Sequence, residues 1–435
     1  MTPRKTQPAS AKPAVSEKRR PPARGNRSAP RQPARGAPAR SPKAPKATAP
    51  APKTPRTPGK KTDGGDRFVI IMAGGRGERF WPVSRESTPK QLLKLLGDRS
   101  FLQQAVDRVL PLVPIDNVIV ITSAAQTAEV RRQLPDLPAG NVIAEPMGRD
   151  TCAAVTLGAA VVGARSTTAV MAVLPADHVI PEPKKFQQAL RDCFDLAGRG
   201  QVIVTLGIQP TEPATGYGYI RVGETLPPPK DAKPYKSTFH RAEEFKEKPA
   251  YETALDYVQS GRYRWNAGMF IWSFVTVTQA LQAHQPDMFD ACQRWFEAAA
   301  AGPSRLARTL AAEYPDIRRI SIDYAVMEKA QNVVVADGEF AWDDLGAWNA
   351  LVRHLKSDAE GNCAVGEFLH VDAARNVVYD ARSASRRTPI CVVGLRDSII
   401  VQTDDATLVA HKSQSQKIKE LVRRLAADPK YARLT

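Results

Sequence analysis

The chain has 435 residues, 43% of them hydrophobic and 25% charged, enough for two or three domains with a full apolar core. Its formal net charge of +17 would point to nucleic acid or acidic membranes if it were spread over the whole chain. It is not. Met1–Thr62 carries 17 Lys/Arg against the single acid Glu17, which leaves 45 basic and 44 acidic residues for Asp63–Thr435, so a basic body built to grip nucleic acid is excluded.

That first segment also holds 14 of the 36 prolines, no aromatic residue and one large aliphatic, Val15. It cannot bury enough surface to offset the entropy of ordering, and it reads as a disordered basic tail, either an electrostatic tether or a passive extension. It has no apolar core of a secretory signal. Five cysteines without close pairs, Cys152, Cys193, Cys292, Cys363 and Cys391, argue against a disulfide framework or a zinc cluster and suggest a reducing, cytoplasmic setting. No apolar run approaches the roughly 20 residues that span a bilayer.

The first apolar run, Arg67–Gly75, ends in glycines, and further runs follow at Val118–Thr122, Ala169–Leu174 and Val202–Ile208. Amphipathic stretches such as Ala124–Leu134 and Lys184–Ala197 lie between them. This alternation predicts a doubly wound α/β sheet with ligands beyond the carboxyl ends of its strands. From about Gly361 short β-like pieces take over, at Asn376–Tyr379, Ile390–Gly394, Ser398–Gln402 and Thr407–Ala410, before a helical end, Ser413–Ala427. They predict a small β domain, and three segments result: a tail at 1–62, a main domain at 63–357 and the β domain at 358–435.

The chemistry is expected just after the apolar runs. Gly74, Gly75 and Gly77 would let backbone N–H groups approach phosphate oxygens, with Arg79 and Lys90 supplying positive charge. The loop is neither a dinucleotide fingerprint, since Phe80 stands where the third glycine belongs, nor a P-loop, since no Gly-Lys-Ser/Thr follows; a tight turn alone would also use these glycines. Asp177 follows the strand at Ala169–Leu174, where it could hold a hard cation or cap a helix, and Asp343-Asp344 offers a second carboxylate from far along the chain. His178 reads as a structural hydrogen-bonding residue. Three further stretches look too particular for scaffold: Glu145–Thr151, Thr215–Ile220, and Glu247-Lys248-Pro249 with Trp265–Phe270.

In this order the segments resemble the sugar-1-phosphate nucleotidyltransferases, most closely the mannose-1-phosphate guanylyltransferases, over about Arg67 to Ala427. The loop Gly74–Arg79 with Pro89-Lys90-Gln91 matches that family's opening motif. Glu145–Thr151, Pro175–His178, Glu247–Pro249, Trp265–Phe270, Ser321–Lys329 and Trp342–Trp348 match further ones, with Asp150 standing where Asn is usual and Cys152 where Ala is usual. The resemblance implies a Rossmann-like, GT-A-like mixed sheet flanked by helices. It also implies attack of mannose 1-phosphate on the α-phosphorus of GTP, with Mg2+ as cofactor.

By the same resemblance, Arg79 and Lys90 would stabilise the triphosphate, and Asp177 and Asp344 would hold the metal, Asp344 being preferred to Asp343 by motif alignment. Gly74, Gly75, Gly77, Glu145 and Arg149 would line the nucleotide site, and Gly216, Glu247, Lys248 and Asn266 the sugar phosphate. Many bacterial relatives carry a further C-terminal isomerase domain; with the chain ending at Thr435, isomerase activity is not expected. Rival readings are the same fold acting on another sugar phosphate or nucleotide, or a non-catalytic protein binding nucleic acid non-specifically through the tail. Membrane insertion is not expected, and the oligomeric state is open.

Overall fold

The computed structural model describes residues 66–228 and 234–435; the basic tail assigned to 1–62 lies outside them. The described residues form one compact unit. Three of the predicted apolar runs become β1 (Arg67–Ala73), β2 (Val118–Ser123) and β4 (Val170–Pro175), and β3 (Val142–Glu145), which was not among those runs, joins them in one parallel set. Between them run α1 (Phe101–Val109), α2 (Thr127–Gln133) and α3 (Asp150–Arg165). Ser100 starts α1 with a capping box, accepting from Gln103 N while the Gln103 side chain accepts from Ser100 N, which satisfies two otherwise orphaned donors.

The second half departs from a doubly wound pattern. After α4 (Pro183–Arg199) come β5 (Ile203–Ile208), β6 (Gly218–Thr225), β7 (Phe239–Glu247), α5 (Tyr251–Ser260) and β8 (Tyr263–Ser273). Then follow α6 (Phe274–His284), α7 (Pro286–Ala300), α8 (Pro303–Glu313) and β9 (Val333–Asp337). The nine-stranded sheet has the order β3-β2-β1-β4-β8-β5-β9-β7-β6. β8 enters antiparallel between β4 and β5, so the sheet is mixed, as the family resemblance implied and the simple alternation did not. Trp265–Phe270 is the middle of this long strand.

Apolar layers cover both faces of the sheet. On one lie α1 and α4, with Phe186 and Phe194 turned inward. On the other lies α3, whose residues from Cys152 to Gly163 are all buried. Its small side chains let it sit close: a Cβ on Gly158 would lie 2.7 Å from the Ile70 side chain, and one on Gly163 2.2 Å from the Phe274 ring. Among the described residues no helix is long and apolar enough to cross a membrane.

The C-terminal strands β10 (Cys363–Val365), β11 (Phe368–Val371), β12 (Val377–Asp380), β13 (Ile390–Val393) and β14 (Ser398–Gln402) alternate between two small sheets, and β15 (Thr407–His411) adds to the first, antiparallel to β14. β10, β12 and β14 pair in parallel in one, and β11 with β13 in the other, so the chain winds as a β-coil. α9 (Ile418–Ala427) closes it. A shared core joins this coil to the loop after β1: Phe80, Trp81 and Trp348 pack with Tyr379, Ile399, Val401, Ile418 and Val422. Trp348 Nε1 donates to the Trp81 carbonyl at 2.9 Å, and Trp81 Nε1 to the Leu434 carbonyl at 2.7 Å. Replacing the fully buried Trp348 by Ala should cost about 3–5 kcal/mol, read as a lowered urea midpoint; an unchanged midpoint would show that this seam does not hold the two parts together.

Candidate active site

The loop after β1 is shaped by two glycines in the left-handed region, Gly75 at φ 98° and Gly77 at φ 59°. A Cβ on Gly77 would sit 2.5 Å from the Lys90 amide nitrogen, so both the φ and the close approach require glycine. Gln91 fastens the loop base, donating through Nε2 to the Ala73 carbonyl at 2.9 Å. Arg79 follows in a single 3-10 turn, Glu78–Phe80, and its buried Nε has no hydrogen-bond partner. A buried donor left unpaired costs about 1–3 kcal/mol, and an anion entering the cleft would remove that cost.

Lys90 is 5% exposed. Its Nζ donates to Asp177 Oδ2 at 2.9 Å and to the Asp344 carbonyl. Arg76, Arg79, Lys90, Asp177, His178, Asp344 and Lys419 thereby share the lining of a cleft of about 280 Å³ beyond the ends of β1 and β4. Burial would raise the Asp177 carboxyl, but Lys90 and His178 outweigh it and hold the group below the ordinary carboxylate range. His178 is pushed down from its usual value, by burial above all. Its Nδ1 accepts from Trp342 Nε1 at 3.1 Å, which leaves the proton of the neutral ring on Nε2; the hydrogen-bonding role read for this residue holds.

The neighbouring acids Asp343 and Asp344 part company. Asp343 is 6% exposed, paired with Arg353 Nε at 2.6 Å and with His354 Nε2 at 2.7 Å, and it accepts from Leu345 N at 2.8 Å. These bonds outweigh burial and drive its carboxyl well below the usual range. Asp344 lines the cleft and accepts from the Tyr217 hydroxyl at 2.8 Å. Leu345, at φ 44°, makes the sharp turn that lets its own amide reach back to Asp343.

Tyr217 connects this cleft to a second cluster. Its carbonyl accepts from Lys248 N at 3.2 Å, and its ring meets those of Trp265 and Trp342 edge-on, at 5.0 and 5.3 Å between centroids. Lys248 Nζ donates to Glu247, and Asn266 Nδ2 donates to Asp323 Oδ1 at 2.9 Å. Burial, with the Glu247 charge behind it, lifts the Asp323 carboxyl to about 6. Glu247, Lys248 and Asn266 are therefore brought together as expected. Gly216 lies in the turn before β6, where a Cβ would meet nothing within 4 Å. Tyr217 and Asp323 were not among the expected site residues, although both fall inside quoted motifs; their signal was only a polar side chain amid motif residues, with no spacing to mark its direction.

Glu145 ends β3 beside Gly74, whose Cβ would lie 3.6 Å from Glu145 Oε2. Burial raises its carboxyl to about 7, against a hydrogen bond from the Tyr314 hydroxyl. Arg149 donates to the carbonyls of Tyr314 and Pro315, so its guanidinium braces this wall. Asp150 has φ 69°, a conformation that Asn and Asp tolerate better than other residues with side chains. That accounts for Asp standing in an Asn position.

The oxygen donors fit a hard divalent cation. Asp177 gives Lys90 its carboxylate and Asp344 its backbone carbonyl, while the Asp344 carboxylate accepts from Tyr217, and both side chains line the cleft as possible oxygen ligands for a hard cation. Among the described residues, the group of three possible ligands Asp358, Glu360 and His370 belongs to the start of the β-coil, where Asn362 and backbone amides already engage Asp358.

A glycine loop, the unpaired Arg79 Nε, the buried Lys90 ammonium and two aspartates thus share one cleft beyond the ends of parallel strands. Residues 68–361 match the nucleotidyl transferase family, and the chain belongs to it. Residues 366–425 match the MannoseP isomerase/GMP-like beta-helix domain, in keeping with the observed coil. The chain is 36% identical over 370 residues to the mannose-1-phosphate guanylyltransferase of Escherichia coli K12, spanning 84% of this chain and 74% of that one. It is 38% identical to the enzyme of the same name from Salmonella montevideo, over 84% and 75%. Among solved structures, a mannose-1-phosphate geranyltransferase from Thermus thermophilus superposes with a TM-score of 0.70 at 36% identity, covering 83% of this chain and 99% of that one.

Glu145 sets a pH dependence. Its folded pKa of about 7 lies above its ordinary 4.5, so the folded state binds the proton more tightly and loses stability as pH rises from about 4.5 to 7. Glu145→Gln keeps the hydrogen bond and lacks the titration. The variant should gain about 3 kcal/mol on the wild type across that window, with a constant gap above it; parallel urea-stability curves from pH 4 to 8 would show that Glu145 titrates normally.

Proposed function

We propose that this chain transfers a guanylyl group from GTP to α-D-mannose 1-phosphate, giving GDP-mannose and pyrophosphate. The observation that carries the reading is the cleft where an unpaired Arg79 Nε and the buried Lys90 ammonium face Asp177 and Asp344. Family membership and the similarity to mannose-1-phosphate guanylyltransferases support the substrate pair.

A phosphate oxygen of mannose 1-phosphate attacks the α-phosphorus in line. The new P–O bond forms as the bond to the β-phosphate bridging oxygen breaks, and pyrophosphate leaves with that electron pair. The step needs positioning and charge neutralisation rather than a nucleophilic side chain. In this reading Gly74, Gly75 and Gly77 cradle the triphosphate, and Arg79 and Lys90 offset the charge that develops on the leaving group. Glu247 and Asn266 receive sugar hydroxyls, Lys248 holds the sugar's phosphate beside Gly216, and Glu145 and Arg149 form the nucleotide wall. Members of this family generally use a divalent metal; here magnesium would be held by Asp177 and Asp344, where it would neutralise phosphate charge. The segment 63–357 carries the chemistry and 358–435 buttresses the loop. Five unpaired cysteines suit a reducing, cytoplasmic setting.

The purified protein should release pyrophosphate only when GTP, mannose 1-phosphate and magnesium are present together. Release with a different pair would keep the family and change the product, and none at all would remove the reading. Arg79→Ala should lower kcat by about 10²–10³-fold with the thermal midpoint unchanged; a folded variant of near-normal turnover would take Arg79 out of the phosphate site. Asp177→Asn should lose most magnesium-dependent turnover, and wild-type magnesium dependence in that variant would remove Asp177 from the metal site.

A further inference from the structure

Four cations line the cleft: Arg76, Arg79, Lys90 and Lys419. The first three come from the loop after β1 and its continuation. Lys419 stands on α9, beyond the β-coil, at the other end of the chain.

The fold holds Lys419 in place. Its neighbour Ile418, and Val422 one helical turn on, are buried in the shared core with Phe80 and Trp81, which presses this turn of α9 against the phosphate loop. The Lys419 ammonium lies 3.8 Å from Glu78 Oε2, and its side chain is 46% exposed. That separation is an ion pair without a hydrogen bond, so the ammonium, beside a Glu78 that also lines the cleft, keeps its donors available to an entering phosphate. Lys90, in contrast, has its ammonium engaged by Asp177 and the Asp344 carbonyl.

We infer that Lys419 is a further phosphate-binding residue, supplied by the C-terminal unit, that engages the leaving pyrophosphate. The inference rests on the reading of the cleft as a nucleotide-phosphate site. Its direction follows from in-line geometry, in which nucleophile and leaving group lie on opposite sides of the phosphorus. The sugar-side cluster reaches the cleft through Tyr217 and Asp344, whereas Lys419 meets the loop at Glu78. A cation on the loop side meets the pyrophosphate end of the triphosphate. The Pα–O bond breaks toward that end, and negative charge grows on the departing oxygen.

The test compares wild type, Lys419→Ala, Lys419→Arg and a control, Lys417→Ala, which removes an exposed lysine two positions away that does not line the cleft. Pyrophosphate affinity is measured by calorimetry with magnesium, alongside the KM for pyrophosphate in the reverse reaction, the KM for mannose 1-phosphate and the thermal midpoint. Lys419→Ala should weaken pyrophosphate about tenfold, the loss of one charge-assisted contact, with the mannose 1-phosphate KM and the midpoint unchanged. Lys419→Arg should stay within about twofold of wild type, since the charge is kept. Wild-type pyrophosphate affinity in Lys419→Ala, or an equal loss in Lys417→Ala, would overturn the inference. So would a loss shared equally with mannose 1-phosphate and accompanied by a lower midpoint, which would assign Lys419 to packing. A wild-type protein that binds pyrophosphate but turns over no substrate would sink the guanylyltransferase reading and leave the affinity comparison to decide Lys419.

Discussion

The site depends on one buried ammonium. Lys90 Nζ bonds the Asp177 carboxylate and the Asp344 carbonyl, tying together segments 87 and 254 positions away in sequence. A charge withdrawn from water is tolerated only when paired and hydrogen-bonded, so the fold must bring those two segments to Lys90. The same requirement brings Asp177 and Asp344 into the lining of one cleft. The cation that organises the cleft is also one of those that would meet the substrate.

What surrounds Lys90 serves to keep it there. Gly77 has no side chain where its Cβ would strike the Lys90 backbone, and Asp343 is clamped by Arg353 and His354 so that its neighbour Asp344 is left to the cleft. The β-coil contributes from outside. Trp81, two residues beyond Arg79, is sandwiched in hydrogen bonds between Trp348 and the Leu434 carbonyl, so the phosphate loop is anchored by the last residues of the chain. Three of the non-glycine residues with positive φ, Asp150, Lys248 and Leu345, fall inside the site motifs, in keeping with backbone strain being held at functional positions by the structure around them.

Much of this was legible in the sequence because it is local. Buried parallel strands read as continuous apolar runs, and β1, β2, β4 and β5 were placed to within a residue or two. The loop glycines, Arg79, Lys90, Asp177 and Asp344 stand in motifs whose chemistry can be read from residue type. The rest depends on the third dimension. β8 is antiparallel because of its partners β4 and β5, which periodicity within the strand cannot encode. The short strands β10 and β11 went unnoticed because three or four residues carry almost no pattern. Tyr217 and Asp323 acquire roles only because β6, β8 and the turn at Asp323–Met327 converge. For Asp343 and Asp344, motif alignment singled out the right candidate for the cleft, but the physical reason is visible only in the bonds that hold Asp343.

Four acids illustrate how the fold distributes charge around a polyanion. Asp177 and Asp343, beside cations, are held below the usual range and stay ionised where positive charge or a metal can answer them. Burial raises Glu145 to about 7 and, with the Glu247 charge and against Lys248, raises Asp323 to about 6. Near neutral pH Glu145 is therefore protonated about half the time, and its carboxyl can donate as well as accept. A triphosphate and a sugar phosphate bring several negative charges into one small space, and fully ionised carboxylates on every wall would repel them. In the proposed reading Glu145 would stand on the base side and Asp323 on the sugar side, and burial that favours their protonated forms would reduce that repulsion. Asp177 and Asp343 stay ionised where Lys90 and Arg353 answer their charge.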